Sequence, residues 1–145
     1  MTQTDPSAFP PVTVSRLAHR RFVGRSSRGG EVAIGDASFP DTFTPGELLK
    51  VALAACAGFT AESAVTRRLG DDAAMTIEVG GDKDPAQDRY PRFAERIELD
   101  LSSLDPVARE RLITVVTRSI EQACTVARTV KAGATIDMRV VDPRD

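Results

Sequence analysis

The sequence is poor in the side chains from which metal and acid–base sites are usually built. Its 145 residues include one histidine, two cysteines, one tyrosine and no tryptophan. The single histidine, His19, is too distant in sequence from either cysteine for a Cys/His metal site, and two cysteines do not make the disulfide framework of a small secreted protein. We therefore expect no metal and no cofactor, and we expect His19 to lie on the surface of a strand.

Neither a strong net charge nor a long apolar run is present. The chain carries 19 basic and 21 acidic side chains without a block of either sign, so nothing favours binding to nucleic acid or to a membrane surface. The strongest apolar run, residues 51–59, is under half the roughly 20 residues of a membrane-spanning helix, and the start lacks the basic-then-apolar order of a signal peptide. The sequence predicts a cytoplasmic protein, in which two thiols serve either packing or redox chemistry.

A chain of this length has room for one hydrophobic core. Residues 1–11 contain prolines and polar residues without periodicity, which predicts a loose arm, and residues 12–145 form the predicted single domain. The apolar periodicities predict an α+β fold of order β-β-α-β-β-α-β, in which a sheet covers two long helices. The predicted strands are residues 12–23, 31–35, 75–79, 97–101 and 135–141.

The first predicted helix, residues 45–69, has a clear start and an unusual centre. The sequence TPGE at residues 44–47 fits a capping box, with Thr44 as the N-cap and Glu47 reaching back to its backbone N–H. Around Cys56 the helix is apolar on nearly every side, yet most of its residues there are alanine or glycine, which bury little area. Either another element packs very close to Cys56, or the thiol needs room.

The second predicted helix begins at about Pro106 and has apolar side chains along one face only. Cys124 lies at or just past its end, and residues 125–131 are expected to add a short extra turn of helix. The two cysteines therefore belong to the two helices that the sheet is predicted to cover.

Two motifs in this order resemble the OsmC/Ohr family, the osmotically inducible and organic hydroperoxide resistance proteins. They are PGELLKVALAAC, residues 45–56, and ACTVARTVKAG, residues 123–133, and the match in element order covers about residues 12–141. The resemblance implies an OsmC-like fold, with a sheet wrapped around two long helices in an intertwined homodimer. It also implies a thiol peroxidase that reduces organic hydroperoxides at sites on the subunit interface.

The resemblance assigns roles to particular residues by position. Cys56 matches the peroxidatic cysteine and Cys124 the resolving one, while Arg25, after a glycine near the N-terminal strands, matches the catalytic arginine, with Arg28 as second choice. Glu47 matches the carboxylate of a PxELL subgroup. In the better characterised hydroperoxide reductases this carboxylate stands one residue earlier, and one residue turns a helix by about 100°.

Peroxide reduction sets requirements that these residues could meet. Burial raises the pKa of a thiol, so a reactive Cys56 thiolate needs a nearby cation. Arginine offers a permanent charge and a planar fork that a carboxylate can orient, which we expect of Arg25 and Glu47. Attack on the peroxide leaves a sulfenic acid that Cys124 traps as a disulfide. A dithiol must then reduce the disulfide, and the family precedent is a lipoyl-bearing protein.

Other interpretations of the same residues stay open. Glu47 is explained equally well as a helix cap alone, Arg28 and Arg128 compete with Arg25 as the cation, and single cysteines on apolar helices often serve only packing. The chain could also be an OsmC-fold oxidant sensor or a binder of hydrophobic small molecules that does not turn over. In a third interpretation, Cys56 is an acyl-transfer nucleophile.

Overall fold

The computed structural model describes residues 10–144, so most of the predicted arm, residues 1–9, lies outside the described residues. These described residues combine two antiparallel sheets with three helices, which confirms the predicted α+β class. In chain order the elements are β1 (Thr13–Ala18), β2 (Arg21–Arg25), β3 (Glu31–Gly35), α1 (Pro45–Leu69), β4 (Met75–Gly80), β5 (Ala94–Leu99), α2 (Pro106–Ala123) and α3 (Thr125–Ala132). These elements belong to two compact units, divided within α1 between Val51 and Ala52.

The first unit contains a three-stranded sheet in the order β1-β2-β3. The prediction of one strand over residues 12–23 was wrong, because the chain reverses at His19-Arg20 and folds β1 back on β2. Arg20 has a left-handed φ of 57°, which is typical of a tight turn and ends the extended run. His19 therefore lies exposed in a turn and not on a strand.

A second turn joins β2 to β3. The Ser26 N–H donates to the Gly30 carbonyl at 2.9 Å, and the Gly30 N–H donates to the Ser26 Oγ at 3.0 Å. Gly29 adopts a φ of 90°, which a residue with a side chain rarely adopts. This turn fixes the register so that Arg25 stands directly opposite Glu31.

The predicted capping box at the start of α1 is confirmed. The Thr44 N–H donates to the Glu47 Oε1 at 2.9 Å, and the Glu47 N–H donates to the Thr44 Oγ1 at 3.1 Å. Two backbone donors that a helix start would otherwise leave unpaired are thereby satisfied, and Pro45 occupies a position whose missing N–H is not needed. The helix begins at Pro45 and ends at Leu69, as predicted.

The core of the second unit lies between α1, α2 and the β4–β5 hairpin. Four α1 residues pack against three α2 residues and Cys124; they are Leu53, Ala57, Ala61, Val65, Leu112, Val116 and Ile120. The α1 side chains at the centre of this core are small, since Ala57 and Ala61 are each 0% exposed and contact the α2 residues of the same cluster. The small residues around Cys56 are therefore explained at least partly by tight packing.

Cys124 occupies a break between two helices. Helix α2 begins at the N-cap Asp105, whose Oδ1 accepts from the Ala108 N–H at 2.8 Å, and it ends at Ala123. Cys124 itself is extended, with φ −73° and ψ 102°, and α3 starts at the next residue. Its N–H donates to Ile120 at 3.1 Å and its carbonyl accepts from Arg128 at 3.0 Å, so one residue closes α2 and opens α3. The expected short extra helix is confirmed.

The predicted last strand, residues 135–141, does not form in the single chain. Its alternating apolar side chains Ile136, Met138 and Val140 are 88%, 89% and 95% exposed. A strand exists only when its backbone N–H and C=O groups pair with a neighbouring strand, and within residues 10–144 this segment has no such neighbour. The alternation of apolar and polar residues is present as predicted, but a strand also needs a neighbouring strand, which the prediction assumed to lie within the chain.

Helix α1 leaves part of its apolar surface uncovered. By length and composition alone it could cross a membrane, with a mean hydropathy of 1.5 over a window that is 22% buried, although the core helix of a soluble protein passes the same test. Its buried residues serve the core of the second unit. Phe59, however, is 80% exposed.

The capping box predicts a specific loss of stability. Because Thr44→Ala removes the side-chain acceptor of the Glu47 N–H, we expect the free energy of unfolding to fall by about 1 kcal/mol. Urea unfolding followed by far-ultraviolet circular dichroism, at one fixed protein concentration, measures this change. Thr44→Ser keeps the acceptor and serves as the control. Equal midpoints for Thr44→Ala and the parent protein would show that the box does not stabilise α1.

Candidate functional site

The two cysteines meet in the second unit. Both are free thiols, and the side chain of Cys56 on α1 lies close enough to that of Cys124 for the two to share a hydrogen bond. Helices α1 and α2 bring them together. Ala57, the residue after Cys56, and Ile120, four residues before Cys124, belong to the same packed cluster. A disulfide between them requires Cα atoms within about 7 Å of each other.

The two thiols differ in accessibility. Cys124 is 0% exposed, whereas Cys56 is only partly buried against the core. The Cys56 carbonyl also accepts a hydrogen bond from Thr60 Oγ1 at 2.8 Å, which fixes the next turn of α1 against it. Cys56 is therefore the more accessible of the two thiols, and the peroxidatic role of Cys56 and the resolving role of Cys124 stay predictions.

Cys124 is held as a neutral thiol. Burial, which disfavours a charged thiolate, is the largest cause that raises its pKa, and the neighbouring Cys56 and the Glu95 carboxylate raise the pKa further. The Cys124 side chain makes no capping hydrogen bond to α3, but the Ala127 N–H in the first turn of that helix acts in the opposite direction and lowers the pKa. The pKa remains above the ordinary value, so the thiol stays protonated at neutral pH.

A cavity of about 680 Å³ lies in the second unit, between β5 and the helices α2 and α3. It opens against Ile120 and Ala127, the two residues whose backbone groups flank Cys124. Tyr90 and Phe93 stack at 5.5 Å between ring centroids on another wall. The charged residues that line the cavity are Arg89, Arg92, Glu95, Glu121 and Lys131. An apolar wall with a few charged groups suits a small organic ligand.

Arg25 and Glu47, the predicted cation and carboxylate, have other partners within the first unit. The Arg25 Nε donates to Glu31 Oε1 at 2.9 Å across the β2–β3 pair. Glu47 accepts from Thr44 in the capping box, and these hydrogen bonds lower the pKa of its carboxyl. Among residues 10–144 no ion pair joins Arg25 to Glu47, so the predicted pairing is not made in the single chain.

The competing arginines occupy different places. Arg28 lies exposed in the β2–β3 turn, three residues beyond Arg25. Arg128 lies on α3, where its backbone N–H donates to the Cys124 carbonyl and its side chain is exposed. In the described part of the chain neither side chain forms an ion pair, so both guanidinium groups face solvent.

Glu95 is the residue that sequence reasoning missed. The predicted strand covered residues 97–101, whereas β5 starts at Ala94 and ends at Leu99. With this register Glu95 shares a face with Ile97 and Leu99 and stands opposite Val79. The sequence AERIEL contained the signal, because its carboxylate lies in register with two partly buried apolar residues, although Glu95 itself is exposed.

The chain is similar to known proteins along most of its length. A model of the OsmC-like protein family matches residues 35–139. An uncharacterized protein of Mycobacterium tuberculosis is 49% identical over 129 residues, which are 89% of this chain and 94% of that protein.

Two solved structures have a similar fold. A candidate osmotic stress induced and detoxification response protein from Psychrobacter arcticus gives a TM-score of 0.66 at 18% identity, over 81% of this chain and 85% of that one. The organic hydroperoxide resistance protein OhrB of Bacillus subtilis gives a TM-score of 0.50 at 20% identity, over 82% of this chain and 90% of that one. At these identities the likeness shows a shared fold.

Proposed function

The chain belongs to the OsmC-like protein family, and from this premise we propose that it is a thiol-dependent peroxidase that reduces organic hydroperoxides to alcohols. The observation that supports the proposal most strongly is the contact between the partly accessible Cys56 and the buried Cys124. The family match supports a redox role in general. The name of the Bacillus subtilis structure, which refers to organic hydroperoxide resistance, supports the choice of substrate class.

The reaction proceeds through two changes at sulfur. The Cys56 thiolate attacks the distal peroxide oxygen, the O–O bond breaks, and the alkoxide takes a proton and leaves as alcohol. Cys56 is then a sulfenic acid. Cys124 attacks this sulfur, the S–O bond breaks, and the released hydroxide combines with the Cys124 proton to form water. A dithiol reductant, for which a lipoyl-bearing protein is the family precedent, returns the disulfide to two thiols.

Arg25 is our proposed cation for the Cys56 thiolate. Its ion pair with Glu31 uses the Nε–H alone, which leaves the terminal nitrogens of the guanidinium for an anionic sulfur or a peroxide oxygen. Glu31 is the carboxylate that orients this arginine in the single chain, because Glu47 is engaged in the capping box. A role for Glu47 beside Arg25 stays a prediction.

We propose that the protein is a cytoplasmic homodimer without nucleic-acid or membrane partners. The support is exposed apolar surface that a second copy would cover: Phe59 on α1 and the unpaired segment with Ile136, Met138 and Val140. Strand β1 is also an edge, and its Val14 is 59% exposed. Pairing of the C-terminal segment with the edge of a second copy would satisfy both backbones. Two free thiols suit a reducing compartment.

A binding or sensing role is the second candidate. The cavity of about 680 Å³ supports it, since a ligand there would contact the residues that flank Cys124 without needing turnover. Such a protein would form the Cys56 sulfenic acid once but would not consume peroxide continuously in the presence of any dithiol.

The proposed reaction makes distinct predictions for the two cysteines. With tert-butyl hydroperoxide and excess dihydrolipoamide, the parent protein should consume peroxide continuously, and Cys56→Ser should not. Cys124→Ser should react once and retain a sulfenic acid that dimedone labels on Cys56. Peroxide consumption and intact mass measure both outcomes. Equal steady-state rates for the parent and Cys56→Ser would refute the mechanism.

The cation can be tested with a matched pair of arginines. We expect Arg25→Ala to slow the reaction of Cys56 with peroxide on the order of 100-fold, because the thiolate loses the charge that stabilises it. Arg28→Ala removes an arginine from the adjacent turn and should leave the rate within about twofold. Stopped-flow measurement of the first turnover gives both rates. A slow Arg28→Ala beside an unchanged Arg25→Ala would move the role to Arg28.

The dimer depends on the apolar face of the C-terminal segment. We expect Met138→Asp to convert the dimer to a monomer, because it places a charge where the second copy would pack. Asp137→Asn, on the opposite face of the same extended segment, is the control and should remain dimeric. Sedimentation velocity at fixed concentration measures both. A parent protein that sediments as a monomer at tens of micromolar would contradict the proposal.

A further inference from the structure

The cavity of about 680 Å³ in the second unit has no part in the peroxidase reaction proposed above. Neither Cys56 nor Cys124 is among the residues that line it. Its volume lies within the range of about 300–1,000 Å³ that is typical of small-molecule sites. The chemistry of its walls therefore indicates what kind of molecule fits inside it.

The floor and one wall of the cavity are apolar. Leu53 of α1 and Ile120 of α2 are 5% and 8% exposed, and Ile97 of β5 packs against the same core. Helix α3 contributes Ala127 and Val130, which lie three residues apart and therefore share one face of that helix. Val130 is 40% exposed although its side chain is apolar. An apolar group inside the cavity would remove this surface from water.

Aromatic rings form another wall. Tyr90 and Phe93, in the segment before β5, stack with their ring centroids 5.5 Å apart and an angle of 29° between the ring planes. Aromatic rings attract one another at such separations, and a further ring can join the pair. Phe93 also packs against the core of the second unit, which anchors the wall. This wall therefore favours a ligand that carries an aromatic ring.

The charged side chains of the cavity leave an excess of positive charge. Arg89, Arg92 and Lys131 are cationic, whereas Glu95 and Glu121 are anionic. Burial raises the pKa of the Glu95 carboxyl and Lys131 opposes that rise, so these two charges offset each other. Two arginines then remain against the single carboxylate of Glu121. By charge complementarity, an anionic ligand fits the cavity better than a cationic one.

The two arginines differ in the partners that they already have. The Arg89 Nε donates to Gln87 Oε1 at 2.6 Å. Within residues 10–144 the Arg92 side chain forms no ion pair and no hydrogen bond, and it stands one residue before Phe93 of the aromatic wall. A planar guanidinium can donate two parallel hydrogen bonds to a carboxylate. Arg92 can therefore hold a carboxylate without breaking an existing contact.

We propose that this cavity binds a small aromatic carboxylate, with its ring against Tyr90 and Phe93 and its carboxylate held by Arg92. The inference goes beyond the proposed peroxidase, because neither cysteine lines the cavity and no bond of the ligand is made or broken. The apolar floor removes the ring from water. Arg92 is exposed, so the carboxylate that it holds keeps contact with solvent and loses little hydration.

The intrinsic fluorescence of the protein tests this site. Tyr90 is the single tyrosine and the chain has no tryptophan, so the tyrosine emission reports on the cavity wall alone. Titration with 3-phenylpropionate should change this emission to saturation, and isothermal titration calorimetry should give the same Kd. Absence of binding by both methods would overturn the inference.

Two analogues separate the contributions of charge and ring. 3-Phenylpropanamide keeps the ring without the charge and should bind at least about tenfold more weakly, because charge-assisted hydrogen bonds to the carboxylate are lost. Hexanoate keeps the charge without the ring and should also bind more weakly. An affinity for either analogue equal to that for 3-phenylpropionate would overturn the assignment of an aromatic carboxylate.

Two arginine variants locate the carboxylate. Arg92→Gln should weaken the binding of 3-phenylpropionate about tenfold and leave that of 3-phenylpropanamide unchanged, because only the charged contact is lost. Arg96→Gln is the matched control, since Arg96 pairs with Glu98 at 2.7 Å and does not line the cavity. Far-ultraviolet circular dichroism checks that both variants are folded. Equal losses in the two variants, or no loss in Arg92→Gln, would contradict the role of Arg92.

The same titration separates this site from the peroxidase. Because Cys56 does not line the cavity, Cys56→Ser should bind 3-phenylpropionate as the parent protein does. Loss of binding in this variant would contradict a site that is independent of the thiols. A parent protein that binds the ligand but consumes no peroxide would refute the proposed peroxidase and support the site.

Discussion

The contact between the Cys56 and Cys124 thiols is the interaction on which the rest of the account depends. It requires α1 to carry small residues where α2 approaches, and Ala57 and Ala61 are each 0% exposed there. Small side chains on α1 therefore serve both purposes, because they allow α2 to pack closely and they bring the Cys56 and Cys124 sulfur atoms near each other.

The environment then makes the two thiols unequal. Cys124 is enclosed, it closes one helix and opens the next, and burial, Cys56 and Glu95 all raise its pKa. Cys56 remains partly accessible on the side of α1. An arrangement with one accessible and one protected sulfur suits a cycle in which the first is oxidised and the second completes a disulfide. The same arrangement without a nearby cation would suit a slower sensor, which is why the role of Arg25 matters.

Much of this could be predicted from local sequence signals. The capping box predicted the start of α1 because its hydrogen bonds join residues only three apart in sequence. The two motifs predicted the OsmC-like fold, and the structural matches confirm that fold. Features that depend on partners distant in sequence were harder. The turn at Arg20 divided one predicted strand into two, and residues 135–141 have no neighbouring strand within the described chain. Arg25 pairs with Glu31 because the β2–β3 turn sets the register of these strands, which the composition of the turn does not predict. Glu95 was missed because the predicted start of β5, residue 97, lies three residues after the observed start at Ala94.

The most direct measurement is the fate of both thiols after one equivalent of tert-butyl hydroperoxide is added to the reduced protein. Rapid quenching, intact mass and peptide mapping follow the reaction. The account predicts loss of both free thiols, a mass decrease of about two hydrogens and one cross-linked peptide that joins Cys56 to Cys124 within a chain. Survival of both thiols at neutral pH would contradict it, and the contact between the two sulfur atoms would then serve packing alone.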